Sequence, residues 1–148
     1  MNAPAHAPLD PRFASRVRES FARQKAMALI GASLAAVEPG HVEIALPFRE
    51  DLTQQKGFVH GGIVGMIADS ACGYSAFSLM PADCSLVTVE YKINILNPAR
   101  GSLLAKGQVV KPGRTLTVAR AEVYSADGQH VATMQQTLMM LAGTPDTP

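Results

Sequence analysis

The chain has 148 residues, enough for one domain with its own buried core. Its formal net charge is +1 and only 17% of its residues are charged, so it lacks the basic excess of a nucleic-acid binder. Its two cysteines, Cys72 and Cys84, are too few for a disulfide framework or a structural zinc site.

The N-terminal sequence MNAPAHAPLDPRF lacks the basic and apolar segments of a signal peptide. No apolar run reaches membrane-spanning length without a charge. These features predict a cytoplasmic protein that does not bind a membrane. Residues 1–8 and 143–148 are expected to be disordered, which leaves a single domain over residues 9–142.

The first predicted element is a helix over Arg12–Ile30. Asp10 is the expected N-cap, Pro11 suits the first helical position, and Gly31 can end the helix. Its apolar residues follow an imperfect helical period, and nothing in it suggests chemistry. We expect it to pack on the domain or act as a lid.

Strands dominate the rest of the chain. Two are predicted around the turn Glu38-Pro39-Gly40, and four more, expected to form a meander, follow Pro81. In the first of these four, alternation places Val87, Val89 and Tyr91 on one face and Thr88 on the other. The predicted ranges are Ala32–Val37, His41–Phe48, Leu86–Asn97, Leu103–Val110, Thr115–Tyr124 and Val131–Leu141.

Between these two groups of strands lies an apolar segment, Gly57–Ala82, in which Asp69 is the only permanently charged side chain. Its small residues let a sheet approach closely, and a helix so poor in charge must be covered on nearly all sides. We therefore predict an α+β fold in which an antiparallel sheet wraps around this central helix, with an extra helix at the N-terminus.

Asp69 is also the first candidate for chemistry. An ionised carboxylate in apolar surroundings is costly unless it is paired or hydrogen-bonded, and the segment offers no Lys or Arg. Such carboxylates cluster at active sites. The alternatives are compensation from elsewhere in the fold and a position at a subunit boundary, in contact with water.

A second candidate is His60-Gly61-Gly62, where the loop meets the central helix. A helix N-terminus presents free N–H groups, and glycines let a ligand approach the backbone. This arrangement suits a carbonyl oxygen that becomes negative during attack. The alternative is that the glycines form only a tight turn and that His60 caps the helix.

The sequence HGGIVGMIADSACG resembles the H-G-G-(x)6-D signature of hotdog-fold acyl-CoA thioesterases, in particular the phenylacetate-pathway group. The similarity covers Ala32 to Leu141 and implies the hotdog fold. It implies that Asp69 is a general base or a nucleophile and that Gly62, with Gly61 beside it, donates backbone N–H groups to the thioester oxygen. His60 matches the histidine that orients this turn.

The resemblance also implies residues that hold the water or the carboxylate. Gln54 falls where the family carries Asn or Gln, although the chain departs from the N-P-x-G-x-x-H form and Gln55 could serve instead. Thr88 matches a Ser or Thr that holds the attacking water.

Family members place the site between two subunits, with the Asp from one and the amide and His from the other, and their dimers commonly form tetramers. The resemblance therefore implies a homodimer and a homotetramer, an acyl-CoA substrate, and no metal or redox cofactor. Lys92, Lys111, Arg114 and Arg120 are candidates for contacting CoA phosphates, with Gly113-Arg114 the best match to the family's CoA-contacting turn.

The leading hypothesis is hydrolysis of an aryl-CoA or a short- or medium-chain acyl-CoA to the free acid and CoA. Two alternatives stay open: an enoyl-thioester hydratase or dehydratase of the same fold, and a non-catalytic acyl-CoA binder. Cys72 lies three residues after Asp69, whose charge would raise the pKa of a thiol, so we interpret Cys72 as a core residue.

Overall fold

The computed structural model describes residues 5–148. The helices are α1 (Phe13–Arg23), α2 (Lys25–Ile30) and α3 (Gly61–Phe77), with a short 3-10 turn at Glu50–Leu52. The strands are β1 (Ser33–Glu38), β2 (His41–Leu46), β3 (Cys84–Ile95), β4 (Leu103–Lys111), β5 (Leu116–Ser125) and β6 (His130–Ala142). None of the helices in residues 5–148 is long and apolar enough to span a membrane.

The six strands form one antiparallel sheet in the order β1-β2-β4-β5-β6-β3. Strands β2 to β6 all contact α3, so the sheet curls around this helix as the sequence predicts. The prediction of a four-stranded meander is wrong, because β3 pairs with β6 and not with β4. Residues 96–102 are long enough to take the chain from β3, at the edge of the sheet, past β6 and β5 to β4. Strands β4 and β5 are each paired with the strand that follows in the sequence.

The N-terminal helix also differs from its prediction. The chain leaves helical geometry at Gln24, where ψ is 90°, and restarts as α2. Val17 and Ile30 are both buried, yet on one straight helix they would point about 140° apart. The break lets both reach the core. Gly31, at φ 77°, ends α2 as expected.

The predicted N-cap Asp10 lies before α1, which begins at Phe13. Its Oδ1 accepts a hydrogen bond from the Arg12 N–H at 2.9 Å, and its Oδ2 pairs with Arg16 at 3.0 Å. Arg16 in turn donates to the carbonyls of Phe77, Met80 and Pro81 at 2.6–2.9 Å. A cation thus satisfies the C-terminal end of α3 and ties α1 to it.

The predicted disordered segments stay predictions. Residues 1–4 lie outside the described part of the chain, and residues 5–8 have no helix or strand. In the C-terminal segment 143–148, Asp146 contacts Arg23 at 3.0 Å.

The sheet approaches α3 most closely at Gly107 in β4. A Cβ at this position would lie 2.2 Å from the carbonyl oxygen of Ala71 and 2.6 Å from the hydroxyl of Ser75. Ser75 also accepts a hydrogen bond from the Val42 N–H of β2 at 3.0 Å. The small residues of the central segment therefore allow the close contact that they predict.

We expect Gly107→Ala to destabilise the protein by roughly 1–3 kcal/mol or more, because the new methyl group meets helix backbone that cannot move aside. Urea unfolding followed by circular dichroism measures this loss. Val110→Ala, at an exposed position of the same strand, is the control and should change stability far less. Equal losses in the two variants would mean that the close approach is not the cause.

Candidate active site

Asp69 lies in the middle of α3, half-buried, with two hydrogen-bond donors on the same carboxylate oxygen. The hydroxyl of Thr88 donates to Oδ1 at 2.9 Å, and the side-chain amide of Gln136 donates to Oδ1 at 2.6 Å. The same amide nitrogen lies 2.8 Å from Oγ1 of Thr88. Both hydrogen-bonding side chains therefore act as donors to Asp69, which suits the acceptor oxygens of a carboxylate.

Thr88 reaches Asp69 through an irregularity in β3. Thr88 pairs with Leu138 and Glu90 pairs with Thr137, so Val89 is an extra residue, a β-bulge. The bulge interrupts the predicted alternation, which placed Thr88 on the face opposite Tyr91. Thr88 and Tyr91 both face α3, since a Cβ at Gly65 would lie 3.8 Å from the Tyr91 hydroxyl.

Gln136 is the residue that the sequence analysis missed. It lies in β6, fully buried, and contacts a carboxylate 67 positions away in the sequence. One signal could have identified it. Met134 and Leu138, two residues to either side, are buried and apolar, so a glutamine between them interrupts the apolar face of the strand.

His60, Gly61 and Gly62 form the N-terminal end of α3. His60 is the N-cap, and its Nδ1 accepts a hydrogen bond from the Gly62 N–H at 2.8 Å. The neutral ring then carries its proton on Nε2. The Gly61 N–H has no hydrogen-bond partner within residues 5–148. The geometry therefore differs from the expectation for Gly62: its N–H is engaged, and the free donor belongs to Gly61.

Gln54 lines a pocket that also contains Gly61, Val64 and Asn97. Its side-chain Oε1 accepts a hydrogen bond from the Lys56 N–H, which leaves its amide NH2 for another partner. Gln55 is exposed and does not line this pocket. Of the two candidate amides, the structure brings Gln54 close to the start of α3.

The two ends of the candidate site are far apart in one chain. Gly61 and Asp69 are eight residues apart on α3, a rise of about 12 Å. Gly61 and Asp69 line different pockets. A reacting carbonyl must lie about 3 Å from both its oxyanion donor and its base or nucleophile. One chain alone cannot provide both to the same carbonyl.

A pocket opens beside Asp69 between α3, β3 and the N-terminal helices. Its walls include Gly73, Phe77 and Leu86, and its polar edge includes Ser20 and Tyr74, whose hydroxyls lie 3.2 Å apart. Gln24, at the break between α1 and α2, also lines it. The N-terminal region therefore helps to form a pocket at the carboxylate, which its sequence did not suggest.

The candidate cations lie away from Asp69. Lys92 is on β3 and donates to Asn94 at 2.5 Å. Gly113 and Arg114 form the β4–β5 turn and line a different pocket with Leu79, Met80 and other residues that follow α3. Lys111 and Arg120 are exposed. The structure does not bring any of them to the carboxylate.

Cys72 is fully buried. Burial raises the pKa of its thiol well above the usual range, and the nearby charge of Asp69 raises it further. A thiol held in its protonated form is a poor nucleophile, which agrees with its interpretation as a core residue. Residues 5–148 contain no cluster of three or more His, Cys, Asp or Glu side chains suited to a metal ion.

Comparisons with known proteins connect this chain to a family. Residues 56–132 match the family model described as the thioesterase superfamily. A protein from Halobacterium salinarum, provisionally called an esterase, is 32% identical over 102 residues, which cover 66% of this chain and 68% of that protein.

Solved structures similar to this chain include proteins of the same kind. A thioesterase family protein from Silicibacter pomeroyi is 52% identical with a TM-score of 0.86, covering 88% of this chain and 99% of that one. The E. coli PaaI protein from the phenylacetic acid degradation operon has a TM-score of 0.84 at 18% identity, covering 90% of this chain and 96% of its own. The second likeness shows the fold alone, and it confirms the predicted hotdog fold.

Proposed function

The chain belongs to the thioesterase superfamily and is a thioester hydrolase, and from this premise we propose that it hydrolyses acyl-CoA at a site shared by two subunits. Family membership supports hydrolysis over the hydratase and the non-catalytic binder that the sequence left open. The observation that carries the finer proposal is the half-buried Asp69, which accepts two hydrogen bonds beside a pocket.

In the proposed reaction, Asp69 removes a proton from a water molecule whose oxygen attacks the thioester carbonyl. The carbonyl oxygen becomes negative and is stabilised by the Gly61 N–H at the start of α3 of the second subunit. The carbon–sulfur bond then breaks, the CoA thiolate leaves, and the proton that Asp69 took from the water passes to the thiolate, which restores the carboxylate. Thr88 and Gln54 position the water, and His60, with a proton on Nε2, contacts the thioester from the same helix end.

The separation of Gly61 and Asp69 along α3 supports a site that is shared by two subunits. The open edge of β3 supports it, because Val87, Val89 and Ile95 are 42–53% exposed there. A second copy of the chain that covers this edge would bury these side chains and bring its own helix N-terminus towards Asp69. We propose a homodimer of this kind, which can pair again into a tetramer, with Lys92, Gly113 and Arg114 reaching the CoA.

Release of free thiol from saturated acyl-CoAs, followed with a thiol reagent, tests the activity. A panel of aryl-CoAs and C2–C16 acyl-CoAs identifies the preferred acyl group, which we expect to be aryl or short to medium in length. No thiol release from any member of the panel would contradict the proposal.

Direct attack by Asp69 is the alternative to the water route. In a single turnover in 18O-labelled water, direct attack followed by hydrolysis of the acyl-aspartate at its aspartyl carbonyl places the label in Asp69. The water route places the label in the product acid. Label in Asp69, detected by mass spectrometry of the active-site peptide, would therefore establish direct attack.

We propose that the pocket beside Asp69 holds the acyl group, and Gly73 tests this. A Cβ at Gly73 would lie 3.8 Å from Leu138 and 4.0 Å from Leu86, which is ordinary contact. Gly73→Ala should therefore fold normally, narrow the pocket and lower kcat/KM for the longest accepted acyl group by roughly tenfold or more, while sparing acetyl-CoA.

Gly65→Ala is the matched control for Gly73→Ala. Gly65 lies on the same helix, its Cβ would also meet no close contact, and it does not line the pocket. We expect its chain-length profile to match that of the parent. A shifted profile in Gly65→Ala, or none in Gly73→Ala, would place the acyl group elsewhere.

A further inference from the structure

Gln136 is a fully buried amide whose hydrogen bonds are incomplete. Its Nε2 donates to Oδ1 of Asp69 at 2.6 Å and to Oγ1 of Thr88 at 2.8 Å. Its Oε1 is buried and has no hydrogen-bond partner within residues 5–148. A buried acceptor without a partner destabilises a fold, so stability alone does not explain this residue.

The surroundings of Gln136 also indicate that it is not needed for the stability of the fold. Met134 and Leu138 precede and follow it on the inner face of β6, and both are buried and apolar. An apolar side chain of similar length would continue this face and remove the unpaired acceptor. What Gln136 adds is a pair of N–H donors next to the one carboxylate in the apolar helix.

The orientation of the Gln136 amide follows from its contact with the Asp69 carboxylate. If the amide were reversed, its Oε1 would face the carboxylate oxygen at 2.6 Å, and two acceptors would repel. Gln136 therefore donates to Thr88, and the Thr88 hydroxyl donates to Asp69. Oδ1 of Asp69 accepts both donors, and Oδ2 accepts none from residues 5–148.

We propose that Gln136 is a positioning residue for the thioesterase reaction, an inference that rests on the proposed role of Asp69. It holds Oδ1 and the Thr88 hydroxyl in place, and so directs Oδ2 at the attacking water. Gln136 itself does not touch the substrate.

Gln136→Met tests this role, because Met has a similar length and no donor. We expect kcat to fall roughly 10- to 100-fold as the carboxylate loses its orientation, with KM within about threefold of the parent and no decrease in melting temperature. Gln135→Met, an exposed neighbour on the same strand, is the control and should leave kcat unchanged.

A residue that only fills space would give a different result. Either an unchanged kcat or a lower melting temperature in Gln136→Met would overturn the proposal. A second measurement uses Asp69→Asn as the background. There, adding Gln136→Met should change the residual rate by less than about twofold, because Gln136 acts through the charge of Asp69.

The catalytic role of Asp69 and the positioning role of Gln136 can be refuted independently. Near-normal activity of Asp69→Asn would refute the catalytic carboxylate itself. An inactive Asp69→Asn together with a fully active Gln136→Met would refute only the positioning role.

Discussion

Replacement of Asp69 by Asn should lower kcat about 10³-fold or more while leaving the fold intact. The amide keeps the shape of the carboxylate and can still accept the hydrogen bond from Thr88, so packing changes little. It can neither take a proton from water nor attack the carbonyl. Steady-state thiol release measures kcat, and circular dichroism verifies the fold.

Asp146→Asn is the control for this experiment. Asp146 lines the same pocket, and its carboxylate pairs with Arg23 near the surface. Loss of that charge should leave kcat within about twofold of the parent, since an exposed ion pair contributes little. Comparable losses in both variants would mean that the reaction responds to the charge of the pocket and not to Asp69.

Replacement of Gly61 by Pro should lower kcat by about 10²–10³-fold, the usual effect of losing one oxyanion donor. Proline is well tolerated at the first position of a helix, where its missing N–H has no helical partner. The preceding residue, His60, has φ −58° and ψ 137°, which suits a residue before proline. The substitution therefore removes the free N–H with little change to α3.

Gly61→Ala keeps the N–H and is the matched control. A Cβ at Gly61 meets no atom within 4 Å in the described chain, so this variant should retain parental kcat unless the partner subunit fills that space. Parental activity in Gly61→Pro would show that the oxyanion donor is another group, such as the Gly62 N–H after release from His60.

Mixing the two inactive variants tests whether the site is shared. In a heterodimer of Asp69→Asn and Gly61→Pro, one of the two sites combines an intact Asp69 with an intact Gly61. An equimolar mixture that has exchanged subunits should regain up to about a quarter of parental activity. No recovery after verified exchange would place both residues in the same subunit's site.

Much of this fold follows from local patterns. The turn at Glu38-Pro39-Gly40 appears where its residues predict it, and the strand bounds differ from prediction by only a few residues. The lone charge of Asp69 in an apolar helix marked the candidate site, because its desolvation cost is visible in the sequence itself.

The features that escaped prediction depend on distant partners. Alternation identifies β3 as a strand, but it does not say that β6 is its neighbour or that Val89 is extra in the pairing. The bulge nevertheless decides that Thr88 faces Asp69. The break at Gln24 likewise follows from which side chains the core must accept, and no helix-breaking residue marks it.

The separation of Gly61 and Asp69 along one helix has a consequence for handling the protein. If each site needs two chains, the isolated chain is an incomplete enzyme, and specific activity becomes a function of protein concentration. Below the dissociation constant of the dimer, dilution should abolish turnover without unfolding the chains, and substrate that bridges the interface should oppose this loss by mass action.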